Sequence, residues 1–161
     1  MNTTILLANI IISAILAAQV MVVYKKISVN IKIAKLRSNS IEITPSEFFK
    51  IRNTKKIFNN RKNISTDQDF EGIYILYNQT KQMYYIGQSK NVIKRVNTHF
   101  TGKGNGDVYA DYKYGDDFVI NMLSLSKSGY TSLNALERDA IDTYQAYSKG
   151  YNKTKGNKDK Q

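Results

Sequence analysis

Residues 71–88 read Glu71-Gly72-Ile73-Tyr74-Ile75-Leu76-Tyr77-Asn78-Gln79-Thr80-Lys81-Gln82-Met83-Tyr84-Tyr85-Ile86-Gly87-Gln88. Ile73, Ile75 and Tyr77 alternate with Tyr74 and Leu76, and Met83 to Ile86 form a second β-prone run. Asn78 to Gln82 make a polar turn of ordinary hairpin length, without an Asn-Gly pair. The stretch therefore predicts a β-hairpin. Glycine opens one strand and closes the other, which marks a place where a ligand or a neighbouring backbone comes close. Tyr74 and Tyr85 fall at matched phase and are expected to look toward one site.

Downstream, Lys90 to Phe100 fits a helix with Val92, Val96 and Phe100 at i, i+4 and i+8 and Ser89 as its expected cap. Arg95 and His99 are one turn apart and share a face of that helix. Gly102 to Gly106 reads as a flexible loop, Val108 to Tyr114 as a short helix, and Asp117 to Leu125 as a third strand. Thr131 or Ser132 opens a last helix whose apolar face is Leu133, Leu136, Ala140, Ile141 and Tyr144, with Gly150 as its expected end. The expected fold class is α+β: a small three-stranded antiparallel or mixed sheet flanked by helices in the order β-β-α-β-α.

Upstream, residues 5–24 carry no charge, and about 20 apolar residues is the length that spans a bilayer as a helix. A cleaved signal peptide needs a charged leading segment, and Met1 to Thr4 supply none. The preferred reading is one retained transmembrane helix, with a signal peptide and a buried soluble helix as the rivals. Lys25, Lys26, Lys32, Lys35 and Arg37 follow the run and no basic residue precedes it. The positive-inside rule then expects a single-pass protein with its C-terminal domain in the cytoplasm. Residues 27–43 alternate like a strand, yet directly follow a helix, and both readings stand. Thr44-Pro45-Ser46-Glu47 is a capping box with proline at the first helical position. Asn59 to Asp69 is polar and aperiodic, and is expected to be a linker. The expected segments are 1–24 for the span, 25–69 for a basic juxtamembrane stretch and linker, 70–153 for the domain, and 154–161 for a basic tail.

The net charge of +11 points to a polyanion or an anionic membrane surface. It is unevenly spread: residues 25–62 carry +9, residues 70–148 are neutral, and residues 149–161 carry +4. The absence of cysteine excludes disulfides and thiolate metal sites, and a lone histidine excludes a histidine-rich zinc site.

Gly72-Ile73-Tyr74 paired with Tyr85-Ile86-Gly87 resembles the signature of the GIY-YIG nuclease family, over roughly Phe70 to Lys153. The resemblance implies a metal-dependent DNA endonuclease. It implies catalytic roles for Tyr74, Tyr85, Arg95, His99, Glu137 and Asn152, with Glu137 as ligand of one divalent cation, Mg²⁺ or Mn²⁺. In the mechanism it implies, Tyr74 activates or positions water, Arg95 bears developing negative charge, and the Glu137-bound metal stabilises the leaving oxygen. Lys90, Lys94 and Lys103 are expected to contact DNA. Some members have lysine directly after the second glycine; here Gln88 stands there and the lysine is Lys90. The basic segments on either side would hold DNA phosphates, touch anionic lipid, or simply be solvated. The expected partners are therefore DNA and, through residues 5–24, the lipid bilayer. Two further readings belong to other classes: an inactive membrane-tethered nucleic-acid-binding module on the same scaffold, and a secreted nuclease.

Overall fold

The computed structural model describes residues 3–58 and 69–159. Most of the expected linker therefore lies outside the described residues. Along the chain the elements are α1 (Thr3–Ser38), β1 (Glu42–Ile43), α2 (Pro45–Phe58), β2 (Gly72–Asn78), β3 (Met83–Ser89), α3 (Val92–Phe100), α4 (Gly106–Tyr114), β4 (Phe118–Ser124) and α5 (Leu133–Thr143). The strands form one antiparallel sheet in the order β1-β4-β2-β3. The sheet thus has four strands where three were expected. The fourth is the two-residue β1, too short to display alternation, whose Glu42 and Ile43 pair with Asn121 and Ile120.

The hairpin register places Tyr74 opposite Gly87 and Leu76 opposite Tyr85. One sheet face therefore carries Tyr74, Leu76 and Ile120, packed against Phe48 of α2, Val92, Val96 and Phe100 of α3, and Val108 of α4. The other face carries Ile73, Ile75, Ile86 and Leu123, packed against Leu136, Ala140 and Ile141 of α5 and Ile33 of α1. Two cores, one on each side, leave the hairpin buried between helices.

α1 resolves the ambiguity over residues 27–43. It runs unbroken from Thr3 to Ser38. Val29, Ile33 and Leu36 lie at helical spacing on the face that meets the sheet, and Ile33 has no exposed surface. Ile27 and Ile31 face outward, so the strand-like alternation was two helical faces read in turn. Part of the expected juxtamembrane stretch thus packs on the sheet through Val29, Ile33 and Leu36. Arg37 donates to Asn121 Oδ1 (3.0 Å), the Tyr84 hydroxyl (3.0 Å) and Glu42 Oε2 (3.1 Å), among the rings of Tyr77, Tyr84 and Tyr144. Lys26 pairs with Asp142, and Lys32 donates to the Gly129 carbonyl and lies 3.8 Å over the Tyr130 ring. Three of the basic side chains beyond the apolar run are therefore engaged by the domain itself. The N-terminal part of α1 is long and apolar enough to cross a membrane and packs against nothing else in the described chain.

The capping box forms as expected: Glu47 N–H donates to Thr44 Oγ1, and the Glu47 carboxylate accepts from the Thr44 N–H and hydroxyl. Ser132 caps α5 through the Ala135 N–H. Two expected ends move. Ser89 does not cap α3; Asp69 does so from outside the expected domain, accepting from the N–H groups of Ile93 (2.7 Å) and Lys94 (3.0 Å). α5 ends at Thr143 rather than near Gly150, because Gln145 takes the left-handed conformation (φ 52°) and no glycine signals it. Gly150 serves another purpose, since a Cβ there would strike the Tyr84 carbonyl beside the Tyr151 N–H bond to that same oxygen.

Candidate active site

The hairpin delivers Tyr74 and Tyr85 to the face covered by α3, with ring centroids 6.1 Å apart. Tyr74 is fully buried, and its hydroxyl lies across Gly87 where any Cβ would collide with it. The second glycine of the signature is thus a seat for the first tyrosine. From α3, His99 packs its ring 5.2 Å from Tyr74 and 4.9 Å from Tyr85. Arg95, one turn earlier, is exposed at the rim, and the neighbouring hydroxyls of Tyr74 and then Tyr85 hold its pKa above the usual value.

The histidine tautomer follows from its two partners. Nδ1 accepts from the Asn105 backbone N–H (2.9 Å), so the ring proton sits on Nε2, which donates to the Tyr74 hydroxyl (2.9 Å). Gly104 lies against the His99 ring where a side chain could not fit, and Lys103 N–H bonds the Thr98 carbonyl. The expected flexible loop is in this way a fitted cover over the histidine.

Burial, and then the charge of Arg95, lowers the His99 pKa to about 4. Burial, and then neighbouring Tyr85, raises that of Tyr74, while Arg95 pulls it back down. The Tyr74 oxygen therefore accepts from one neutral donor, His99, and the Arg95 charge offsets only part of the burial that keeps it a phenol.

Lys90, Lys94 and Lys103 are all exposed, on or beside α3. Glu137 is placed differently. It is 7% exposed on α5, and Oε2 accepts from Gln88 Nε2 (2.8 Å) and the Asn157 N–H (3.2 Å). Gln88 pairs with Ile73, so its side chain leaves β3 on the face opposite Tyr74. Among the described residues no hydrogen bond joins Glu137 to Tyr74, Tyr85 or Arg95; the link between carboxylate and hairpin is Gln88. Asn152 spends both amide atoms on Ile86, accepting from its N–H (2.9 Å) and donating to its carbonyl (2.7 Å). It pins the chain after α5 to the free edge of β3.

The model of the GIY-YIG catalytic domain matches residues 70–152, slightly more than half the chain. This chain belongs to the GIY-YIG family. Membership supports a nuclease-type function and suggests a nucleic-acid substrate. No curated protein and no solved structure matches the chain.

The residues that sequence reasoning missed in this GIY-YIG domain are Asn105 and Asn134. Asn105 sets the His99 tautomer, and Asn134 shares the Gln88 amide with Glu137. Neither carries a spacing signal for these contacts, because the partner lies across a loop or on another element.

His99 leads to a prediction with a definite sign. Its folded pKa is depressed below the usual 6.5, so between pH 6.5 and about 4 the unfolded chain binds a proton that the folded chain refuses. The stability this provides is complete above pH 6.5 and is lost as pH falls toward 4, about 3 kcal/mol in all. Thermal unfolding followed across that window will show the loss, and His99→Gln will flatten the slope there. An unchanged slope would mean that His99 is protonated in the folded chain.

Proposed function

We propose that this protein is a membrane-anchored DNA endonuclease that hydrolyses phosphodiester bonds with the help of one divalent cation. The observation that carries the reading is the hydroxyl of Tyr74 held by the His99 Nε2–H at an otherwise apolar face, with the charge of Arg95 beside it. A free phenol ionises near pH 10. Burial keeps Tyr74 a neutral phenol, so its hydroxyl, fixed by the His99 Nε2–H, is suited to position an attacking water. Arg95, charged and exposed at the rim, is placed to take the negative charge that develops on a phosphate. Tyr85, on the same face and ringed with His99, orients the group from the second strand.

Among the described residues no cluster of three histidine, aspartate or glutamate side chains could hold a metal. The donor set is a single carboxylate, Glu137. That fits Mg²⁺ or Mn²⁺, which keep several waters and need only one or two protein oxygens. Both protein donors to Glu137 fall on Oε2, where they would compete with a cation for the carboxylate. When bound, the ion would supply a charge sink for the leaving oxygen. Gln88 and Asn134 orient the carboxylate, and Asn152 holds the strand edge beside it.

α1 supports anchoring through residues 5–24, and the basic residues after it support a cytoplasmic domain. Lys90, Lys94 and Lys103 fit phosphate contacts that hold the strand without reading it. The inactive-module reading draws on one observation, the occupation of Glu137 Oε2 by protein donors. Supercoiled plasmid incubated with the full chain in detergent, with Mg²⁺ and with chelator, decides between them. The expected result is nicking that chelator stops and that Glu137→Gln slows by on the order of 10²-fold. Intact plasmid in every arm would leave the scaffold as a binding module.

A further inference from the structure

The lysine-rich C-terminus is folded onto α5, and it crosses the carboxylate that the proposed function depends on. Gly156, with φ +92°, turns the chain so closely over α5 that a Cβ there would lie 3.3 Å from Glu137 Oε2. Asn157 N–H then donates to that oxygen, and the Asn157 carbonyl accepts from Arg138 Nη1 (2.5 Å). Lys158 accepts through its carbonyl from Asn134 (3.3 Å). Asp159, the one acidic residue of the tail, accepts from Ser132 Oγ (2.5 Å) and Asn134 Nδ2 (3.1 Å) and pairs with Arg138 Nη2 (3.0 Å). Every anchor thus falls on the capping residue and first turns of α5, around Glu137, and the carboxylate sits at the positive end of the helix.

We infer that residues 156–159 form an autoinhibitory strap, which must leave α5 before Glu137 can take a divalent cation and a nucleic-acid phosphate can approach it. The inference rests on the reading of Glu137 as the cation ligand. The strap is held by contacts that are easily exchanged. Asp159 and Arg138 are half and one-third exposed, and such pairs contribute little in water. The tail also carries the means of its release. Lys155 and Lys158 are exposed, and a polyanion draws them outward while its phosphates compete with Asp159 for Arg138. Binding of substrate and opening of the cation site become one linked event.

The test uses the full chain in lipid nanodiscs, as parent, Asp159→Lys and Glu137→Gln. Mn²⁺ binding is read by paramagnetic resonance, and a nitroxide at Asn157→Cys, which keeps the backbone anchors at that position, is the sole label because the chain has no cysteine. Asp159→Lys is expected to bind Mn²⁺ roughly tenfold more tightly than the parent, and Glu137→Gln to lose that binding. The nitroxide is expected to be immobile in the parent and to become mobile when Mg²⁺ and duplex DNA are added together. Equal Mn²⁺ affinity in parent and Asp159→Lys, with binding still lost in Glu137→Gln, rejects the strap and leaves the ligand reading intact. Undiminished binding in Glu137→Gln removes the ligand reading and the strap with it. A nitroxide that stays immobile with cation and duplex present also rejects the strap.

Discussion

A chain that begins at residue 25 will fold, and one that begins at residue 60 will not. The first keeps the second half of α1 and all of β1 and α2; the second discards them. Ile33 is completely buried against the α5 side of the sheet, and Phe48 is buried against the α3 side, so the shorter chain opens both cores at once. Truncating one such side chain to alanine costs about 2–5 kcal/mol. Losing both, together with Arg37 and its bonds to Asn121 and Tyr84, approaches the whole of a small domain's stability, about 5–15 kcal/mol. The asparagine on β4 and the tyrosine on β3 would also be left without their partner, at a further cost. A thermal melt and amide exchange on both chains measure this. A cooperative transition in residues 60–161 at the temperature found for residues 25–161 would make the second half of α1 dispensable. The family match begins at residue 70, after α1, β1 and α2.

Arg95→Ala will lower kcat/KM for phosphodiester cleavage by on the order of 10²–10³-fold while leaving the fold intact. The side chain is exposed, and surface changes of this kind usually alter stability by about 0.5 kcal/mol or less. The loss would be chemical, because Arg95 sits beside the Tyr74 hydroxyl without filling either core. Arg95→Lys should recover only part of the rate: it restores charge but not the planar pair of donors. The same substitution gives a readout independent of turnover. Removing the positive charge relieves one of the two causes that depress His99, so its pKa should rise in Arg95→Ala, by ring-proton titration. Undiminished cleavage by Arg95→Ala would remove the guanidinium from the chemistry.

The hairpin, the capping box on α2 and the apolar faces of α3 and α5 were legible because each repeats a pattern over several residues. Matched phase along the hairpin placed Tyr74 and Tyr85 on one face, and helical spacing added Arg95 and His99. What was not legible has physical causes. β1 is two residues long, and its place in the sheet depends on β4 lying ready to pair with it. The α3 cap comes from Asp69, across the entire hairpin, where no local spacing could point to it. Residues 27–33 carry apolar side chains on two sides of a helix, and two sides sampled alternately imitate a strand. The resemblance identified Glu137 and Asn152, but not that the first reaches the hairpin through Gln88 or that the second is consumed by the Ile86 backbone.

The unbroken course of α1 has a bearing on where such an enzyme could work. With no hinge between the apolar run and the packed half, the helix acts as a stiff post, and from Tyr24 to Ser38 it rises about 20 Å. On the proposed anchoring, that post fixes the height of the cutting face above the lipid. Substrates would then be selected by address: a strand threading close to the bilayer is within reach, and the same strand deeper in the cell is not.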